Sequence, residues 1–187
     1  MFMRKNKNTK WAIGLLILLL VATVAYLFSH RNSTTQLAQT ANNSNTHCVY
    51  RVGLPDRTCT PGSADPKVTQ ANIQQTICVS GYTKTVRPPV SYTDSLKKQQ
   101  MAEYGDTDSP ANYEEDHLIP LEVGGNPTDP KNLWPEPRNQ SPSAGDKDGF
   151  ENYLHQQVCN GQISLQEAQK EMSTAWVGFW VQAGSPK

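Results

Sequence analysis

The stretch EEDHLIPLEVGGNPTDPKNLWPEP, residues 114–137, sets the strictest limit on the fold. It carries five prolines, at positions 120, 127, 130, 135 and 137. Proline lacks the amide hydrogen that a sheet ladder or a helix interior needs, so no long regular element can run through this segment. Two short extended pieces do fit. His117-Leu118-Ile119 is apolar and β-compatible up to Pro120, and Asn132-Leu133-Trp134 ends at Pro135. Between them, Gly124-Gly125-Asn126-Pro127 and Asp129-Pro130 are turn signals. The glycine pair reads as turn chemistry rather than a phosphate cradle, because no helix start follows it.

The flanks are mixed. The segment around Gly53 to Pro66 is full of turn formers and predicts irregular structure. VTQANIQQTIC predicts a short helix from near Thr69, and GYTKTVRPPVSYT an extended piece over Tyr82 to Val86, ended by Pro88-Pro89. TDSLKKQQMAEYG reads as a helix capped by Thr93 or Asp94 and closed by Gly105. DKDGFENYLHQQVCNG places Phe150, Tyr153, Leu154 and Val158 at helical spacing. Ser164 and Glu167 open a last helix whose buried side is expected to run through Ile163, Leu165, Ala168, Met172, Ala175, Trp176 and Phe179. The expected class is α+β.

The N-terminus sets the compartment. Arg4, Lys5, Lys7 and Lys10 precede an uncharged apolar run from Trp11 to Phe28. Its 18 residues approach the length of a membrane-spanning helix, and the basic flank keeps the N-terminus in the cytoplasm. A signal anchor over 1–28 is favoured by that length; a signal peptide cleaved near Thr23-Val24-Ala25 is the competing reading. Either sends the rest of the chain outside the cytoplasm, anchored to the membrane or secreted. Residues 29–47 are rich in Ser, Thr, Asn and Gln and read as a flexible tether, leaving 48–187 as the domain. All four cysteines, Cys48, Cys59, Cys78 and Cys159, lie in that domain, which suggests two disulfides. Of the three pairings, Cys48–Cys59 with Cys78–Cys159 is favoured: one closes a short loop and the other ties distant segments. From residue 48 on there are 12 Lys/Arg and 17 Asp/Glu, so this part carries 12 − 17 = −5. That excludes a broad basic surface for nonspecific nucleic-acid binding and leaves only a local phosphate site.

A strand with Asp-His, a glycine loop, a strand with Asn and then a helix with His resembles the HNH (ββα-metal) endonuclease superfamily. The chain looks most like exported bacterial HNH-like proteins carrying EDHLIPLE, GG, PTDP and NLWPEP. The resemblance covers roughly residues 59–180 and is most specific over 113–159. It implies a ββα-metal core with additional N- and C-terminal helices, stapled by disulfides. It also implies metal-dependent hydrolysis of nucleic acid, DNA over RNA, with no protein partner expected. His117 would be the general base, its unperturbed pKa lying near neutrality, and Asn132 would hold the ring through its side-chain amide or its backbone. Asp116 and His155 would ligate one divalent ion, Mg²⁺ or Mn²⁺. Glu151, one turn before His155, would be a ligand, a partner orienting His155, or a solvated residue, with Asn152 its rival. Lys131, Arg138 and Lys147 are candidates for phosphate contact. The alternative is a scaffold of the same fold without turnover, serving as an envelope binding or structural module.

Overall fold

In the computed structural model of the chain, residues 47–187 are described. The expected anchor and almost all of the tether fall outside them. The described residues combine four helices with one two-stranded antiparallel sheet, which is an α+β arrangement. In chain order these are α1 (Tyr82–Val86), α2 (Val90–Tyr104), β1 (Tyr113–His117), β2 (Leu133–Pro137), α3 (Ala144–Cys159) and α4 (Leu165–Gln182). Short 3-10 turns, including Gln70–Gln75 and Leu121–Val123, fill the connections.

Several expectations shift. Tyr82–Val86 is a short helix rather than a strand. β-branched residues favour a strand only where a partner strand offers a ladder; here the Thr85 hydroxyl bonds back to Tyr82 O at 2.7 Å and closes a helical turn instead. The helix α2 begins earlier than Thr93, directly after Pro89, whose φ of −65° suits a helix entrance. The segment after Thr69 is 3-10, with Thr69 as its cap. The strands shift as well: expected at His117–Ile119 and Asn132–Trp134, they run Tyr113–His117 and Leu133–Pro137, with Pro135 and Pro137 inside β2, where a ribbon edge does not need every amide hydrogen. Ala175, expected on the buried side of α4, is exposed where that helix kinks. Two helix boundaries hold. Gly105 closes α2 at φ +77°, and the Ser164 hydroxyl accepts from Glu167 N at the start of α4.

The hairpin is the frame of the molecule. Tyr113 pairs with Pro137, Glu114 with Glu136, Asp116 with Trp134, and His117 with Leu133. Side chains alternate along each strand. One face therefore carries Glu114, Asp116, Trp134 and Glu136, and the other carries Tyr113, Glu115, His117 and Leu133. The α3 helix meets the first face, with Trp134 and Phe150 joining Leu154, Val158, Met172 and Trp176 in the core. The α2 helix runs along the ribbon, and its buried Gln100 donates to Leu133 O and Pro130 O.

The cysteines form two pairs with their sulfur atoms at bonding distance, Cys48–Cys59 and Cys78–Cys159, with Cα separations of 6.1 and 5.6 Å. Such pairs are compatible with a location outside the cytoplasm. Among the described residues no helix is long and apolar enough to cross a membrane.

Candidate functional site

The loop between the strands is built around one amide. Asn132, fully buried, lies in a 3-10 turn just before β2. Its Oδ1 accepts from Ile119 N (3.0 Å) and Ser63 N (3.2 Å), and its Nδ2 donates to Ile119 O (2.9 Å) and Asn126 O (3.0 Å). Those four bonds use two donors and two lone pairs, the whole capacity of the group. Gly125 makes this packing possible: a Cβ there would lie 1.7 Å from Ile119 O. Asn132 therefore does not hold the His117 ring directly, as the resemblance implied. It holds Asn126, and the next residue, Pro127, offers its carbonyl to His117 Nε2 at 3.1 Å.

That contact fixes the proton. A carbonyl only accepts, so Nε2 carries the hydrogen and the neutral ring keeps Nδ1 as its acceptor. His117 is 5% exposed. Burial pushes its pKa below the ordinary value, against an upward pull from Asp116, so the ring is neutral at neutral pH.

Asp116, on the opposite face of β1, meets the N-terminal half of α3. The fully buried Lys147 ammonium donates to Asp116 Oδ2 (2.5 Å), to His117 O (3.1 Å) and to Glu151 Oε1 (2.5 Å). Asp116 and Glu151 thus come together across one cation. The candidate oxygen atoms of Glu114, Asp116 and Glu136 lie within 4.8 Å of one another. Glu136 is buried, and its carboxyl is pushed well above the usual range by burial and by the neighbouring Asp116. Burial likewise raises Glu151 to about 8, against the pull of Lys147. An all-carboxylate set suits a hard divalent ion such as Mg²⁺ or Mn²⁺.

Other expected residues sit elsewhere. Lys147 is buried and triply bonded, so it is not placed to touch a phosphate at the surface. Arg138 pairs with Glu114 at 2.6 Å, and Lys131 is exposed in the turn that positions Asn132. His155 is not brought to Asp116. It lies eight residues after Lys147, about 12 Å further along the helix. Its Nε2 meets Ile77 O at 2.9 Å. Cys78 and Cys159 are near it, but their sulfurs are within bonding distance of each other and so are not free to ligate. Glu114 and Glu136 were missed in the sequence. The signal was there: Glu114 and Asp116 are two apart on one strand, and Glu136 is two after the buried Trp134, so alternation puts all three on one face.

No family model, no characterised protein and no solved structure matches the chain.

Proposed function

We propose that the chain is a metal-dependent phosphodiesterase of the HNH type, acting on nucleic acid, DNA over RNA, outside the cytoplasm. The observation that carries this reading is the state of His117. One of its ring nitrogens is tied to Pro127 O and the other is left as an acceptor, which a general base for water needs. The Glu114, Asp116 and Glu136 cluster lies on the opposite face of the hairpin, so the substrate must reach both faces at the end of β1, where His117 is the last residue. Asp116, with Glu114 and Glu136, would hold Mg²⁺ or Mn²⁺; when bound, the ion supplies positive charge for the phosphate and the leaving oxygen. Lys147 offsets part of the carboxylate charge and fixes both Asp116 and the His117 backbone. Asn132 positions the ring through Asn126 and Pro127.

Two observations favour the second reading, a scaffold without turnover. Asp116 is already paired with Lys147, and the net charge of −5 beyond residue 47 repels a polyanion. The test is cleavage of plasmid and single-stranded DNA by the oxidised 187-residue chain with Mg²⁺ or Mn²⁺, then with EDTA, beside His117→Ala. Metal-dependent cleavage that the variant lacks, with metal affinity largely kept, is the expected result. Folded, metal-treated protein that cleaves neither substrate turns the assignment to the scaffold.

A further inference from the structure

At the C-terminal half of α3, away from the Lys147 cluster, lies a cavity of about 420 Å³. Its walls are the turn from Ile77 through Thr83, Glu122 from the 3-10 turn after β1, and Asn152 and His155 from α3. Its volume falls in the range of small-molecule sites, roughly 300–1,000 Å³.

The polar groups on these walls are acceptors in search of donors. Glu122 Oε2 is buried and has no hydrogen-bond partner among the described residues. A buried carboxylate oxygen left in that state is costly unless something completes it. The cations of the chain do not: His155 and, less, Arg87 lie near enough to lower the Glu122 pKa, but neither forms an ion pair with it among the described residues. His155 is held in place on this wall, its Nε2 donating to the Ile77 carbonyl. Asn152 adds a second acceptor, because its Nδ2 is already donated to Asp148 O at 2.9 Å, which leaves its Oδ1 to accept. Two acceptors, one of them anionic, call for a ligand with N–H donors and a positive charge. The charge beyond residue 47, 12 − 17 = −5, points the same way, drawing cations in and holding anions off.

We infer that this cavity is a binding site for a small organic cation bearing N–H donors, an alkylguanidinium or alkylammonium group, with Glu122 as its charged anchor. The turn carrying Ile77 to Thr83 is tied to the end of α3 by the Cys78–Cys159 pair and by the His155–Ile77 contact, so the cavity is built before the ligand arrives. The site is independent of the nuclease reading, since none of its anchors belongs to the Asp116–His117 set.

The test is titration of the oxidised 187-residue chain with n-butylguanidinium, followed by amide NMR shifts and calorimetry. Tetramethylammonium, which has the charge without N–H donors, and butyrate serve as comparisons. Expected are saturable one-to-one binding of n-butylguanidinium, shifts centred on residues 77–83, 122 and 152–155, and markedly weaker binding of both comparisons. Glu122→Gln should weaken binding roughly tenfold or more, the worth of a charge-assisted hydrogen bond, while His117→Ala leaves it unchanged. Equal binding of tetramethylammonium, shifts centred elsewhere, or an affinity untouched by Glu122→Gln would each overturn the proposal. So would the absence of any saturable shift in the wild-type chain, a reading that does not depend on a variant folding.

Discussion

The two halves of α3 treat buried charge in opposite ways. Near its start, Lys147 is enclosed and every demand of its ammonium is met, by Asp116, Glu151 and the His117 carbonyl. Near its end, Glu122 presents an enclosed oxygen that nothing among the described residues meets. The first arrangement costs desolvation and regains it in attraction and hydrogen bonds. The second has spent the desolvation and kept the attraction in reserve. A satisfied buried ion ties elements together, here β1 to α3. An unsatisfied one leaves free energy for a ligand to release. Burial alone is thus a poor guide to function, and the state of the partners is a better one.

The largest effect should come from unlatching the cavity half. Cys78→Ser with Cys159→Ser frees a loop of 81 residues and should lower stability by about 4–5 kcal/mol, read as a lower urea midpoint. A loss that leaves the Asp116 half equally disordered in hydrogen exchange would mean the two halves are one cooperative unit. Next, Lys147→Met strands Asp116 and Glu151 around an apolar group and should cost about 3–5 kcal/mol, with Lys147→Arg intermediate in denaturant melts. A neutral outcome would mean the cluster contributes nothing net.

The opposite sign is expected at the other half. Burial raises the Glu122 carboxyl above its ordinary value, so the folded state binds more protons than the unfolded one above pH 4.5. Stability held at low pH is lost as pH rises through the raised pKa. Glu122→Gln should therefore stabilise the ligand-free chain by less than about 1 kcal/mol at pH 8, and the gain should vanish near pH 4. A loss at pH 8 would show that Glu122 is satisfied after all. The smallest effect concerns His117. Its folded pKa is depressed below 6.5, so its contribution is full above that pH and declines as pH falls towards and through the folded value. Thermal melts of His117→Gln should lack this step.

The helices α3 and α4, the Gly105 stop and the presence of two extended pieces joined by turns could be read from prolines, caps and helical spacing, although the strands begin and end elsewhere and β2 runs through Pro135. These are local signals, strong because each rests on a backbone requirement that proline, glycine or a capping hydroxyl meets or refuses. Tyr82–Val86 misled because β-branching describes a preference for a partner strand and says nothing of whether one is there. Lys147 misled for a related reason. With Glu151 four residues on, it resembles a solvated surface pair, and only the approach of β1 turns it into the centre of a buried cluster. His155 has helical spacing from Glu151 but the two face different neighbours, and sequence spacing on one helix does not say what packs against each turn. Glu122 carried no signal, because its meaning depends on what fails to reach it.

The bracing of the loop by Asn132 also bears on how such a sequence can change over time. Asn132 bonds to backbone atoms of Ser63, Ile119 and Asn126, which any residue but proline supplies, whereas Gly125 has no room for even a methyl group beside Ile119 O. The side chains this arrangement fixes are therefore the Asn132 amide and the missing one of Gly125. Those two positions should be held together in any lineage that keeps this loop, while Ile119 and Lys131 are free to change in kind.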